Sequence, residues 1–313
     1  MSHFTVLVVG QDIEKQLAPF QENNMGDCPR EYMEFEDEGD ELRRRYAEES
    51  EEMVVLPDGE QVVYWNKRVA DAEKNGRLER VQVPHKVRFA TFEAFADEYA
   101  SGKDEETGRY GYWHNPNSKW DYWQLGGRWT GYFKLKPGTN GESGRPGLFT
   151  PRAEVGYADA VLKKNIDFEA MRAEAEARAN ATYDRYDQVV SEHGVPPEFA
   201  DLRQSFENIE DARAAYWALP AVKAFRDADL MPWNGTVKDK YGMGRDEFVA
   251  RARASCFTPY ALLMDGEWYE QGKMGWFGIS HDDKDADSWN AEVGKLLDTL
   301  PEDTLLSAVD CHI

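Results

Sequence analysis

The chain has 313 residues and carries 59 acidic against 37 basic residues, which gives a formal net charge of −22. An electric field of that sign repels nucleic acid and anionic membranes, so neither is expected as a direct partner. The three cysteines are odd in number and far apart, and no apolar run approaches the roughly 18 residues that span a bilayer, so we expect a cytoplasmic protein.

Residues 1–157 predict the first part of an α+β frame. Residues 3–9 are a short β-branched apolar run, which predicts a buried strand, and residues 12–20 predict a short helix. The acidic stretch Glu31–Glu52 predicts a further helix. The other elements predicted here are a hairpin with arms 53–56 and 61–65, strands at 81–83 and 86–89, and a helix at 91–99.

Residues 110–134, here called the aromatic centre, hold four of the ten tryptophans around a Gly126-Gly127-Arg128 turn. Trp and Tyr concentrate where a surface must be apolar and still donate hydrogen bonds, as in interfaces and stacking pockets. The segment therefore predicts strands around the turn and is the main candidate for a recognition surface.

Residues 158–230 predict a helical insertion, because they are rich in good helix formers. One helix is expected from Ala158 to Val190 and a second from Pro197, packed as an antiparallel pair. Residues 231–313 predict the second part of the frame. Its elements are a helix through Ser255, hairpin strands at 260–264 and 267–270, a strand at 274–279, a helix at 285–299 and a buried strand at 304–311. The expected fold is α+β, with a mixed or antiparallel sheet that contains both termini.

Arg128 follows a Gly-Gly turn whose backbone amides can approach an anion, while its guanidinium can clamp that anion bidentately. The alternative is a tight turn with Arg128 stacked on Trp120 or Trp129. Asp121 is a possible general base or, more simply, a salt-bridge partner of Lys119 or Arg128. The candidate ligand- or partner-binding residues are Trp113, His114, Lys119, Trp120, Asp121, Trp123, Gly126, Gly127, Arg128, Trp129, Trp268, Lys273 and Trp276. If the last three share a sheet face with the others, they line one pocket for a planar anion such as a nucleotide.

His3 and His312 are of interest only together. If the first and last strands pair antiparallel, both histidines fall at one end of the sheet, with Asp310 nearby. The sequence nominates no third and fourth metal ligand and no nucleophile motif, so no metal, other cofactor or catalytic residue is predicted.

Three segments carry a resemblance to a known family: MSHFTVLVVG with QLAPFQEN, then KWDYWQLGGRWTGYF, then EWYEQGKMGWFGIS and DTLLSAVDCHI. They resemble a recurring accessory protein of tailed bacteriophages, over both ends and the centre of the chain. The resemblance implies expression in the cytoplasm of an infected bacterial host. By analogy with other phage accessory proteins, it favours an inhibitor of a host defence function, which binds a host protein or a nucleotide-like ligand.

Two other functions remain open from the residues alone. An acidic mimic of DNA would occupy a DNA-binding host protein through carboxylate clusters such as Glu31–Glu52. An enzyme acting on a nucleotide or related phosphate compound would need an acid, base or metal cluster within reach of the aromatic centre.

Overall fold

The computed structural model describes residues 2–74, 76–274, 280–282 and 284–313. The chain forms two compact units. The larger unit comprises Met1–Leu17 and Trp120–Ile313, and the smaller unit comprises Ala18–Lys119. The boundary between the units lies before Trp120 and divides the aromatic centre, which its sequence predicts to be one recognition surface.

Strands and helices are partly segregated along the chain, as expected of an α+β protein. The strands are β1 (His3–Val9), β2 (Glu34–Asp37), β3 (Ser50–Val55), β4 (Gln61–Val63), β5 (Glu79–Pro84), β6 (Gly111–His114), β7 (Tyr122–Gly127), β8 (Phe133–Lys134), β9 (Arg145–Pro146), β10 (Tyr157–Ala158), β11 (Ala160–Leu162), β12 (Ala261–Met264), β13 (Glu267–Glu270), β14 (Gly272–Met274), β15 (Ser280–Asp282) and β16 (Leu305–His312). The α-helices are α1 (Ile13–Leu17), α2 (Gly39–Glu48), α3 (Lys67–Glu73), α4 (His85–Arg88), α5 (Phe92–Tyr99), α6 (Phe168–His193), α7 (Phe199–Arg203), α8 (Ile209–Ala218), α9 (Pro220–Asp227), α10 (Val237–Tyr241), α11 (Arg245–Ala254) and α12 (Ala286–Thr299).

The larger unit is built on a mixed sheet with the strand order β13-β12-β1-β16-β7-β9, and β11 also pairs with β16. β1 runs parallel to β12 and antiparallel to β16, in a register that extends from His3↔His312 to Val9↔Leu306. Both central strands are apolar runs buried along nearly their whole length, as strands covered on both faces require. The predicted α+β fold with both terminal strands in one mixed sheet is confirmed.

Helix α12 covers one face of this sheet. Its Trp289, Val293 and Leu297 are spaced four residues apart and pack against Leu7 and Leu306. Asp285 caps the helix by accepting a hydrogen bond from the Ser288 amide at 2.9 Å. The helix predicted at 285–299 is thus confirmed, because its apolar stripe has the helical period that a sheet face can bury.

The helical region differs from the predicted pair. Residues 160–162 form β11, which pairs antiparallel with the start of β16, and the helix predicted from Ala158 begins only at Phe168, where Asp167 caps it. The second predicted helix is divided into α7, α8 and α9, and Pro220 is the first residue of α9. The far part of α6 builds its own apolar cluster, centred on Tyr183, Phe225 and Tyr241.

The smaller unit contains a sheet with the order β4-β3-β5 and a separate β2–β6 pair. The hairpin predicted around Pro57-Asp58-Gly59 is confirmed by the antiparallel β3–β4 pairing. The helix predicted over the whole of Glu31–Glu52 is wrong, since α2 occupies only its middle and β2 and β3 take the flanks. The strand predicted at 86–89 lies mostly in α4, beside an aromatic cluster that buries Phe89 against Phe95.

Over the part of the chain that the structure describes, no helix is both long and apolar enough to cross a bilayer. The strand predicted at 274–279 lies, beyond Met274, outside the described residues.

Acidification is expected to destabilise the smaller unit through His85. This side chain is 4% exposed, its ring lies 4.8 Å from that of Phe95, and its Nδ1 has no hydrogen-bond partner among the described groups. Burial lowers the pKa of His85 from its usual value of 6.5. The unfolded chain therefore takes up the proton more readily than the folded chain, so the stability that neutral His85 supplies is complete above the unfolded pKa and declines as pH falls toward the folded pKa.

The test is denaturant unfolding at pH 7.5 and pH 5, followed by circular dichroism. The loss of unfolding free energy on acidification is expected to shrink in His85→Leu. It is expected to stay as in wild type in His193→Leu, which changes an exposed histidine at the end of α6. An equal loss in all three proteins would show that His85 does not control the acid sensitivity.

Candidate functional site

Two histidines meet at the end of the central sheet where β1 begins and β16 ends. His3 and His312 are register partners, and their ring centroids lie 4.9 Å apart with planes at 71°. Nδ1 of His3 lies 2.8 Å from Oδ1 of Asp310, and Nδ1 of His312 lies 2.5 Å from Oδ1 of Asp121. We call these four residues the His–Asp cluster. The conditional prediction that antiparallel end strands would bring His3, His312 and Asp310 together is confirmed.

The His–Asp cluster is largely enclosed, since the side chains of Asp310 and His312 are only 2% and 13% exposed and that of His3 is 22% exposed. A carboxylate that accepts a hydrogen bond from Nδ1 fixes the orientation of the ring and leaves Nε2 able to bind another group. Neither Nε2 makes a hydrogen bond to a residue that the structure describes. Each imidazole therefore keeps one nitrogen available to accept or donate a proton.

The Gly126-Gly127 turn is packed against two buried carboxylates. Both glycines are buried and have positive φ, 77° and 54°. A Cβ on Gly126 would lie 2.7 Å from Oδ2 of Asp159, and a Cβ on Gly127 would overlap the side chain of Asp310. Because neither glycine has a side chain, the backbone approaches Asp310 closely, and the Arg128 amide donates a hydrogen bond to Oδ2 of Asp310 at 2.9 Å. The turn ends β7 and pairs with β9 instead of closing a hairpin.

Asp159 holds the loops around this turn, although no sequence motif predicts a role for it. It is fully buried between β10 and β11 and accepts hydrogen bonds from the amides of Gly131, Tyr132 and Gly144 at 2.6, 3.1 and 2.7 Å. A buried carboxylate is tolerated when backbone amides replace its water. The only available signal was an isolated acid inside the apolar run YADAVL.

Arg128 follows this turn and Arg145 begins the neighbouring strand β9, and both side chains are exposed. Arg145 stands in register with Gly126, so the two arginines lie on adjacent strand ends. Neither guanidinium forms an ion pair, hydrogen bond or ring contact with any residue in the described ranges. Some other arginines pair with acids, as Arg44 does with Glu41 and Glu49, whereas Arg185 on α6 pairs with no acid that the structure describes. The two unpaired guanidinium groups make the local potential less negative than that of the rest of this acidic protein, so an anion can bind there.

Three further candidates from the aromatic centre lie in the larger unit, where they mainly contribute to packing and backbone hydrogen bonding. Trp120 is 5% exposed and donates from Nε1 to the Leu17 carbonyl at 3.0 Å. Trp123 is half-buried in register with Cys311, and the Trp129 amide donates to the Gly126 carbonyl at 2.9 Å. Asp121 belongs to the His–Asp cluster.

Three predicted site residues lie in the smaller unit. The Arg30 guanidinium lies 2.9 Å from the ring centroid of Trp113, whose Nε1 donates to Asp104 at 3.1 Å. His114 pairs with Glu34 between β6 and β2, and the Lys119 amide donates to the Phe20 carbonyl at 2.8 Å. The structure therefore places these three in a different compact unit from Arg128.

The remaining predicted site residues are Trp268, Lys273 and Trp276. The strand that carries Trp268 lies toward the opposite edge of the central sheet from β7. Trp268 is on β13, and β12, β1 and β16 separate it from β7, a distance of about 19 Å at the usual strand spacing. Lys273 is exposed on β14, which pairs with β15. Trp276 lies outside the described residues. Trp268 and the Gly126-Gly127-Arg128 turn are thus not brought together in one pocket.

Within the described ranges, no group of three or more His, Cys, Asp or Glu side chains is arranged to hold a metal ion. Comparison with protein-family models, curated proteins and solved structures found no match to this chain.

Proposed function

We propose that the larger unit binds a phosphate-bearing, nucleotide-like anion beside Asp310 of the central sheet, with Arg128 as the principal contact. The observation that supports this most strongly is an exposed guanidinium without an ion pair among the described residues, on a backbone fixed by the bond from its amide to Asp310. A planar guanidinium matches the oxygen pairs of a phosphate. Arg145 adds a second positive charge beside it, and the free Nε2 atoms of His3 and His312 add hydrogen-bonding capacity.

The resemblance to phage accessory proteins favours a role for this site in countering host defence. In the cytoplasm of an infected bacterium, a protein that captures a nucleotide-like signal would deprive a host defence system of its activator. Inhibition of the host through that ligand is therefore the proposed biological role. A host protein bound through the same arginines is the alternative partner, and the experiment below separates the two.

Acidic mimicry of DNA receives less support. A mimic needs carboxylates that stay free to imitate phosphates, whereas within Glu31–Glu52 the side chains of Glu41 and Glu49 hold Arg44, and Glu51 holds Arg88. The acids of this stretch are partly neutralised within the smaller unit itself.

The replacement Arg128→Ala is expected to weaken ligand binding enough for the ligand to be lost during purification, with little change in thermal stability. Native mass spectrometry of protein purified from infected cells should show a phosphate-bearing small molecule on wild type and none on the variant. Titration calorimetry with the recovered molecule should show a loss on the order of 2 kcal/mol, about thirtyfold in affinity. Arg128→Lys should retain only part of the wild-type affinity, because lysine lacks the planar guanidinium that binds two phosphate oxygens at once.

Arg185→Ala is the matched control, since Arg185 is also exposed and without an ion pair in the described part of the chain, but lies on α6. It should retain the ligand. Equal occupancy in wild type and Arg128→Ala would reject the proposal, and a co-purifying host protein lost only in Arg128→Ala would favour the alternative partner.

A further inference from the structure

We infer that the His–Asp cluster hydrolyses a phosphodiester, with one of His3 and His312 as general base and the other as general acid. This inference rests on the proposed function, because Arg128 is the residue that would hold the phosphate. It assigns an activity to residues that a binding site alone does not require.

The geometry meets the main requirement of such a pair. General acid–base hydrolysis needs two proton-transferring groups that act on one phosphorus, one to receive a proton and one to give it. His3 and His312 lie on neighbouring strands with ring centroids 4.9 Å apart, and each presents an Nε2 that no described residue engages. Two side chains from strands in the centre of a sheet are held more firmly than side chains from loops.

The carboxylates act as positioning residues. Asp310 accepts a hydrogen bond from Nδ1 of His3 and Asp121 accepts one from Nδ1 of His312, which fixes the orientation of each ring. Asp310 is itself held by the Arg128 amide at 2.9 Å. The same carboxylate therefore links the orientation of His3 to the residue proposed to hold the phosphate.

The reaction balances with water as the only co-reactant. The neutral imidazole takes a proton from water at Nε2 while the water oxygen forms a bond to phosphorus. The bond from phosphorus to the leaving oxygen breaks, and the protonated imidazole donates its Nε2 proton to that oxygen. The products are a phosphomonoester and an alcohol, and proton exchange with solvent resets the two histidines. The Arg128 guanidinium offsets the charge that grows on the non-bridging oxygens.

The test uses the full chain and two probes, bis(p-nitrophenyl) phosphate and the dinucleoside monophosphate adenylyl-adenosine. Wild type is expected to hydrolyse both. His3→Asn and His312→Asn should each lower kcat for the dinucleoside about 10²- to 10⁴-fold. Because p-nitrophenolate leaves without a proton, the variant that lacks the general acid should recover to within about tenfold of wild type on that probe, while the variant that lacks the base should not.

His193→Asn is the matched control, since this histidine is exposed at the end of α6, and its turnover should equal that of wild type. Circular dichroism of each variant shows whether a loss of turnover is only a loss of folding. Asp310→Asn should lower kcat with little change in KM if Asp310 positions His3, whereas a purely structural role would lower the melting temperature and leave kcat of the folded fraction unchanged.

Three results would overturn the inference. They are wild type that turns over neither probe, a His3→Asn/His312→Asn double variant that remains active, and turnover that disappears in EDTA and returns with Mg²⁺. Ligand capture that depends on Arg128 in a protein without turnover would reject hydrolysis and leave the binding proposal intact. Turnover that survives Arg128→Ala would reject Arg128 as the phosphate contact and leave the hydrolytic role of the His–Asp cluster intact.

Discussion

Removing residues 304–313 is expected to unfold the larger unit completely. This deletion takes away β16, which pairs with β1 on one side and with β7 and β11 on the other. Leu306, Val309 and Cys311 are fully buried on that strand. Leu306 and Val309 each contribute about 1.5–3 kcal/mol by burial, and the unpaired backbone of three neighbouring strands adds to the loss. The sum is comparable with the whole stability of a domain, about 5–15 kcal/mol.

The measurement is denaturant unfolding followed by tryptophan fluorescence and circular dichroism. A chain that ends at His312 is the matched control, because it keeps all of β16 and loses only Ile313, whose amide and carbonyl bond to Ser2. That control should still unfold cooperatively, with a loss of about 1 kcal/mol. A cooperative transition in the ten-residue deletion would show that β16 is not the central element of the sheet.

Replacing Gly127 by alanine is expected to cost about 3 kcal/mol of unfolding free energy and to disturb the candidate site. Its φ of 54° is the left-handed region, where an alanine costs roughly 1–2 kcal/mol. The added Cβ would also overlap the side chain of Asp310, which is 2% exposed and cannot move without leaving His3 and the Arg128 amide. Overpacking of this kind costs about 1–3 kcal/mol.

Gly138→Ala separates the two contributions, because Gly138 has a φ of 78° and a Cβ added there would meet nothing within 4 Å. It should cost only the backbone part, about 1 kcal/mol, and leave ligand capture and turnover as in wild type. Denaturant unfolding of both variants gives the comparison. Equal losses would mean that Asp310 yields freely, and the turn would then not fix the His–Asp cluster.

Local sequence patterns determined the frame of this protein. The runs at 3–9 and 304–311 are mostly apolar, so strands buried on both faces satisfy them best, and they became β1 and β16. The stripe on 285–299 has the period of a helix face, and Asp265-Gly266 has the chemistry of a two-residue turn, with φ of 54° and 79°. In each case the deciding interactions lie within a few residues, where sequence can express them.

Only the tertiary structure decided where the chemistry lies. The density of Trp predicted a recognition surface at residues 110–134, but the boundary between the two units divides that segment. Trp113 and Trp120 each donate a hydrogen bond within their own unit. The cluster of His3, His312, Asp121 and Asp310 depends on strand register across almost the full length of the chain, and a shift of one residue would place the paired side chains on opposite faces. Register is fixed by the packing of the whole sheet, so the sequence could place His3, His312 and Asp310 together only on the condition of an antiparallel pairing, and it gave no sign that Asp121 would join them.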